Sequence, residues 1–111
     1  MQCPKCDAPM TQVTCDDVEI DRCTACMGLW FDNGEAEALS TRWIAQFIDT
    51  GDPAIGEAMD VVDACGCPRC GAPMRRYQAE EHSMLLFDQC DAHGKYFDAG
   101  EFTVWALNQY L

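Results

Sequence analysis

Two pairs of cysteines near the amino terminus have the spacing expected of ligands to one metal ion. Cys3 and Cys6 are separated by two residues, and after sixteen intervening residues Cys23 and Cys26 repeat that spacing. Tetrahedral zinc takes four such ligands, with each sulfur about 2.3 Å from the ion, and Cys-x2-Cys turns commonly supply them. We therefore predict that these four cysteines bind one zinc ion, in preference to forming disulfides or staying free.

A second set with similar spacing lies in the other half of the chain. Cys67 and Cys70 are followed, after nineteen intervening residues, by Cys90 and His93. Zinc accepts three thiolates and one imidazole as readily as four thiolates. Cys65 is a competing ligand because it lies two residues before Cys67. We predict a second zinc ion, giving two Zn²⁺ per chain. Four protein ligands leave no position for substrate, so both sites are expected to be structural.

Two of the nine cysteines and one of the two histidines remain outside these sets. Cys15 ends a predicted strand and is expected to be a small buried side chain. Cys65 is expected to be a free thiol in a linker, and His82 to be solvated in a long turn. Disulfides are not expected, because the cysteine count is odd and no apolar signal segment opens the sequence. The expected compartment is the reducing cytoplasm.

The chain contains an internal repeat. Residues 3–10 read Cys-Pro-Lys-Cys-Asp-Ala-Pro-Met and residues 67–74 read Cys-Pro-Arg-Cys-Gly-Ala-Pro-Met, so six of eight positions are identical. Residues 28–35 and 94–101 are identical at five of eight positions, with a tryptophan in the first stretch replaced by a tyrosine in the second. Such self-similarity indicates a duplicated structural unit. The two halves are called the first copy and the second copy below.

Each copy has the pattern of three short strands. Asp16-Asp17 in the first copy and the segment from Glu80 to His82 in the second are turn-forming stretches between extended segments. The expected strands are 10–15, 18–22 and 29–31 in the first copy, and 74–78, 85–89 and 95–97 in the second.

A helix is expected to close each copy. The pairs Asp32 with Glu35 and Asp98 with Glu101 can satisfy the free backbone N–H groups at a helix start. Apolar residues then recur at three- and four-residue steps. They are Ala36, Leu39, Trp43, Ile44, Phe47 and Ile48 in the first copy, and Phe102, Trp105, Ala106 and Tyr110 in the second.

These residues resemble the transcription-factor-IIB-type zinc ribbon family. The resemblance rests on Cys-Pro-x-Cys, on Ile-Asp-x-Cys at 20–23 and Phe-Asp-x-Cys at 87–90, and on the Gly-x-Trp/Tyr-Phe-Asp-x-Gly-Glu stretch. It covers residues 3–39 and 67–105. It implies a zinc-ribbon fold with a three-stranded β-sheet, and it matches both ligand sets to the ligand positions of the family one by one.

The expected fold is a small metal-stabilised α+β structure of two tandem zinc ribbons, each with three short antiparallel strands followed by a helix. We divide the chain into zinc ribbon 1 plus helix at residues 1–50, an acidic linker at 51–64, and zinc ribbon 2 plus a C-terminal helix at 65–111. Pro53 could begin a short helix in the linker, although Gly56 argues against it. Units this small rarely bury enough core to fold without metal or disulfides.

The charge balance argues against nucleic-acid binding. Seven basic residues stand against nineteen acidic ones, which gives a net charge of -12 and a pI near 4.2. Nucleic-acid binding draws most of its affinity from Lys and Arg, so it is not expected here. The one basic cluster is Arg69, Arg75 and Arg76, with Tyr77 expected to be exposed beside it. No apolar run reaches the roughly 18–20 residues of a membrane span.

The sequence bears on three classes of function. The first is a non-enzymatic interaction or adaptor module with an unidentified, basic protein partner, because acidic surfaces attract basic ones. The apolar helix end around Trp43 to Ile48 either packs the two copies together or forms a contact with a second copy of the chain or with a partner protein. The alternative is a nucleic-acid-binding or transcription-associated regulator. An enzyme is not expected, since no thioredoxin-like pattern, catalytic triad or phosphate loop is present.

Overall fold

The structure, a computed structural model, describes residues 1–40, 45–59, 61–62, 66–78 and 86–108. The predictions for Trp43, Ile44, Cys65, His82 and Tyr110 lie outside these residues. The strands are β1 Met10–Cys15, β2 Val18–Cys23, β3 Leu29–Asp32, β4 Arg75–Gln78, β5 Leu86–Cys90 and β6 Gly94–Phe97. The helices are α1 Glu35–Ser40, α2 Ala45–Ile48, α3 Pro53–Met59 and α4 Glu101–Asn108.

The strands form one antiparallel sheet in the order β1-β2-β3-β6-β5-β4. Each copy contributes three consecutive strands, and the two triplets meet where β3 pairs with β6. In that pairing Trp30 lies opposite Tyr96, which is its counterpart in the repeat, and Leu29 lies opposite Phe97. Equivalent residues facing each other define a local twofold relationship, as in the self-complementary contact of a symmetric dimer. The protein is therefore a small α+β structure in which the duplication builds a continuous sheet.

The β1–β2 hairpin turns at Asp16 and Asp17, as predicted. Both residues have positive φ, 54° and 69°, and Cys15 pairs with Val18 across them. A two-residue turn with positive φ at both positions matches the twist of antiparallel strands, and aspartate tolerates this conformation better than most residues. The turn residues therefore fix the register of the hairpin.

One face of the sheet packs against α1 and α4. Alternation along β3 places Phe31 on this face and Trp30 on the other. The ring centroid of Phe31 lies 4.4 Å from that of Phe102 in α4, and the centroids of Phe97 and Trp105 are 5.5 Å apart. The buried residues of this core are Ile20, Leu29, Phe31, Ala36, Leu39, Ile48, Phe97, Phe102, Trp105 and Ala106.

The helix after the first copy differs in part from the prediction. Ile48 is buried and α2 packs against α4, but Phe47 is 68% exposed although the apolar pattern places it with the core. The short α3 begins at Pro53, and the side chain of Asp52 accepts a hydrogen bond from Ala54 N at 2.9 Å. Gly56 fits this helix because a Cβ there would lie 1.9 Å from the Ala99 carbonyl oxygen.

Within the described parts of the chain, no helix has the length and apolar character needed to cross a membrane. The division into segments 1–50, 51–64 and 65–111 stays a prediction.

Candidate metal centre

The first predicted ligand set is gathered at one end of strands β1 to β3. The sulfurs of Cys3, Cys6, Cys23 and Cys26 all lie within 4.8 Å of one another. The Cys3 and Cys26 sulfurs are 3.8 Å apart, and those of Cys6 and Cys23 are 3.3 Å apart. Ligands about 2.3 Å from a tetrahedral ion lie about 3.8 Å from each other. The four sulfurs therefore fit one zinc ion.

The second predicted set is gathered in the same way. Cys67, Cys70, Cys90 and His93 each place a ligand atom within 4.8 Å of the others. The sulfurs of Cys70 and Cys90 are 3.9 Å apart, and His93 Nδ1 lies 3.7 Å from Cys90 Sγ. Nδ1 is thus the ring atom that faces the sulfurs. Three thiolates and one imidazole at these separations suit tetrahedral zinc.

Cys15, the other cysteine among the described residues, is half-buried against the core on the helix face. It belongs to neither ligand set.

The backbone at each cysteine pair is shaped for this clustering. Asp7 and Gly71, which follow the pairs at corresponding positions, both have positive φ, 64° and 76°. Asp7 N donates to Cys3 O at 3.0 Å and Gly71 N to Cys67 O at 2.7 Å, so each Cys-x2-Cys segment closes into a tight turn. Backbone amides also face the sulfurs, since Arg69 N lies 3.3 Å from Cys67 Sγ and Cys26 N lies 3.4 Å from Cys23 Sγ. Such donors favour the thiolate form that binds metal.

Hydrogen bonds between neighbouring ligand side chains shift the pKa values of several cysteines. The pKa of Cys3 is lowered to about 4, first by its hydrogen bond with Cys26 and then by those with Tyr96 and backbone amides. The pKa of Cys26 is raised by that same bond and by burial. In the second set the pKa of Cys90 is lowered to about 7, chiefly by its hydrogen bond with His93. In each set, one cysteine therefore has a pKa below that of an ordinary thiol.

Trp30 and Tyr96 lie between the two sets, on the sheet face opposite the helices. Both are fully buried, and they pack with Cys3, Cys23 and Cys26 of one set and Cys67 and Cys90 of the other. The Tyr96 hydroxyl lies 3.2 Å from Cys3 Sγ and 3.4 Å from Cys26 Sγ. A residue of the second copy therefore touches the sulfurs of the first.

The basic residue that follows the proline in each Cys-Pro-x-Cys segment forms ion pairs with the other copy. Lys5, in the first copy, donates to Asp98 Oδ2 at 2.5 Å and lies 3.8 Å from Asp88 Oδ2, both in the second copy. Arg69, in the second copy, donates to Asp32 Oδ2 at 2.8 Å and to Asp21 Oδ2 at 3.4 Å, both in the first copy. The two arrangements correspond position by position in the repeat.

Sequence reasoning missed this reciprocal pairing. The signal that could have revealed it is that both copies keep a basic residue inside Cys-Pro-x-Cys, an aspartate two residues before the third ligand, and an aspartate after Phe31 or Phe97.

The structure corrects the interpretation of the basic cluster. Arg69 is engaged with Asp32, and Arg76 Nε lies 3.5 Å from Asp88 Oδ1. Tyr77, expected to be exposed, is half-buried and its ring stacks on that of Phe87 at a centroid distance of 5.4 Å. Cross-strand pairing of β4 with β5 places the two rings side by side. Arg69 and Arg76 therefore form ion pairs with aspartates of this chain.

Comparison with known families supports this site. Residues 2–42 match the model of a zinc-ribbon family described as "Transcription factor zinc-finger". Comparison with curated proteins and with solved structures found no significant match. The matched segment contains the whole first ligand set, whose sulfurs cluster as the family requires. Over residues 2–42 the chain is therefore similar to the transcription-factor-IIB-type zinc ribbon family.

Proposed function

We propose that this protein is a non-enzymatic scaffold of two zinc ribbons, each held by one structural zinc ion, that acts as an interaction or adaptor module. The observation that carries the proposal is the pair of four-ligand clusters on either side of Trp30 and Tyr96. Cys3, Cys6, Cys23 and Cys26 would hold one ion, and Cys67, Cys70, Cys90 and His93 the other. Zinc would supply a fixed tetrahedral centre that stabilises the fold.

The energetics favour a structural role for the metal. A structural zinc ion contributes about 10–16 kcal/mol of apparent binding free energy, which exceeds the stability of many small domains. Four protein ligands also complete the tetrahedron and leave no place for a reacting water. The bound ions would therefore fix the shape of the sheet rather than take part in chemistry.

The distribution of charge favours a basic protein partner. Lys5, Arg69, Arg76 and Lys95 are each ion-paired with an aspartate or glutamate of this chain, so their charge is largely neutralised within the molecule. Acidic side chains dominate the exposed surface instead. They include Asp7, Asp17, Glu19, Asp52, Glu57 and Asp91. Such a surface attracts basic partners and repels phosphates.

Affinity capture from the source cells tests the adaptor role. Zinc-loaded protein should retain a defined partner at physiological salt and lose it at high salt. The matched control is the double variant C3S/C67S, which removes one ligand from each set and should retain nothing specific. Equal capture by both proteins would contradict the proposal.

A nucleic-acid-binding role in transcription is the second candidate, and the description of the matched family favours it. Mobility-shift titration with duplex DNA, single-stranded DNA and RNA separates the two. We expect no complex at near-physiological salt. Micromolar binding there, reduced by R75Q at the exposed Arg75, would establish the second candidate instead.

A further inference from the structure

Tyr96 lies in the second copy, but its hydroxyl faces the ligands of the first. The side chain is fully buried, and its Oη is 3.2 Å from Cys3 Sγ and 3.4 Å from Cys26 Sγ. A buried phenol normally donates its O–H to a partner, and the sulfurs of metal-bound cysteines are charged acceptors. We propose that Tyr96 is a positioning residue that donates a hydrogen bond to the zinc-bound sulfurs of the first set and so makes metal binding there depend on the second copy. This inference rests on the proposed zinc binding.

The first copy leaves room for this hydroxyl at Gly28. A Cβ at Gly28 would lie 1.9 Å from Tyr96 Oη and 2.5 Å from its Cζ, so any side chain there would push the phenol away from the sulfurs. Gly28 O also accepts a hydrogen bond from Cys23 N at 2.8 Å, which keeps this backbone close to the ligand set. The glycine therefore belongs to the same arrangement as the tyrosine.

The corresponding residue, Trp30, does something different. It is equally buried and lies opposite Tyr96 in the sheet, but its indole N–H donates to Asp32 Oδ1 at 3.0 Å. Indole has a single donor, so Trp30 has no second N–H for a sulfur of the second set. The two metal sites are thus unequal. The first has four thiolates and an outer hydrogen bond from the other copy, whereas the second has three thiolates and an imidazole.

The hydrogen bond matters because four thiolates around one zinc ion leave excess negative charge. A donor outside the ligand shell withdraws part of that charge and fixes the orientation of the sulfurs. Removing such an outer partner typically weakens metal affinity 10- to 100-fold. Tyr96→Phe keeps the ring in the core and removes only the donor, so we expect a loss of about tenfold at the first set.

The experiment uses the full chain loaded with cobalt(II), whose sulfur-to-metal charge-transfer and ligand-field bands distinguish a four-sulfur site from a three-sulfur, one-nitrogen site. Chelator competition then gives the affinity of each set. In Y96F, affinity at the first set should fall about tenfold, and its charge-transfer band should move to lower energy because the sulfurs become more electron-rich. Affinity at the second set should fall by a smaller factor than at the first. The control is Y77F, which loses the same hydroxyl from a tyrosine that stacks on Phe87.

A second variant keeps the test decisive if Y96F does not fold. Gly28→Ala retains the tyrosine but displaces its hydroxyl, and it should weaken the first set and shift its band in the same direction. Wild-type affinity and an unshifted band at the first set in Y96F, or in G28A if only that variant folds, would overturn the role of Tyr96. A wild-type chain that binds fewer than two ions would contradict the proposed function itself.

Discussion

Lys5 and Asp98 lie at opposite ends of the chain, and they form a buried ion pair in which Nζ is 2.5 Å from Oδ2. The lysine also donates to the Met59 carbonyl oxygen at 3.0 Å, so three segments converge on one ammonium group. Because Lys5 lies between Cys3 and Cys6, the pair joins the first ligand set to the strand–helix junction of the second copy. The copies therefore stabilise each other through the same residues that shape the metal sites.

Replacing Lys5 by methionine should strongly destabilise the zinc-loaded protein. The side chains of Lys5 and Asp98 are 1% and 3% exposed, and removing one partner of a buried pair leaves an uncompensated charge at a cost of about 3–5 kcal/mol. The control is K95M, which breaks the more exposed pair of Lys95 with Glu37 and should cost at most about 1 kcal/mol. Urea unfolding measures the free energy of unfolding of both variants. Equal losses would show that the buried pair has no special role.

Asp49 should be the more costly of two helix caps to remove. Its Oδ1 accepts from Gly100 N at 2.8 Å, and its Oδ2 from Thr103 N at 3.0 Å and Thr103 Oγ1 at 2.9 Å. Asp49 is buried and caps α4 from a distant part of the chain, so D49A should cost about 2 kcal/mol and expose these amides to hydrogen exchange.

Asp52→Ala is the matched comparison for Asp49, because Asp52 caps α3 through one exposed bond to Ala54. It should cost no more than about 1 kcal/mol. A larger loss in D52A than in D49A, or protection at Gly100 and Thr103 that survives D49A, would contradict the assignment.

Zinc binding at the two sets should be positively coupled. The pairing of β3 with β6 places Tyr96 at the first set, so disabling the second set with C70S should weaken the first. Coupling between sites is typically about 1–3 kcal/mol, or about 5- to 150-fold in affinity. Cys15→Ser, outside both sets, should change neither affinity. Chelator titration of each variant measures the zinc affinity of the intact sets. An unchanged affinity at the first set in C70S would mean that the sites are independent.

Acid should release metal from the second set with an additional pH dependence near neutrality. The pKa of Cys90 is lowered to about 7, chiefly by its hydrogen bond with His93, so the fold favours the thiolate. A lowered pKa stabilises the folded state above the ordinary thiol value of about 8.5, and this contribution disappears as pH falls through about 7. Below pH 7, zinc must displace one more proton, and its affinity should fall by about a further tenfold per pH unit.

The first set provides the control for this titration, because the pKa of Cys3 is about 4 and its thiolate persists throughout the interval. Competition with a chelator between pH 6 and 8 should show the added slope at the second set alone. A change of slope near pH 7 in both sets would argue against the Cys90–His93 pair as its source.

Much of the local structure could be predicted because its signals are local. Strand β1 has the predicted bounds, and Asp16 and Asp17 form the predicted turn. The two ligand sets come together because a Cys-x2-Cys segment closes its own turn and a hairpin returns the chain to it. Spacing along the sequence is enough to specify such an arrangement.

The joining of the copies could not be predicted, since it depends on contacts between residues far apart in sequence. Nothing near β3 indicates that its free edge pairs with β6, or that Asp49 caps α4. Phe47 shows that a local pattern can also mislead. Helical spacing places it with the core, but the fold leaves it exposed. Apolar periodicity locates a helix, but what packs against each side is set by the rest of the molecule.

Native mass spectrometry of the protein, purified with its thiols reduced and without added chelator, tests the central claim most directly. The account predicts that each 111-residue chain carries two zinc ions, with the mass reduced by the protons that the thiolates have given up. C6S and C70S should each carry fewer. A wild-type chain with one ion or none, or with disulfides among Cys3, Cys6, Cys23 and Cys26, would contradict it.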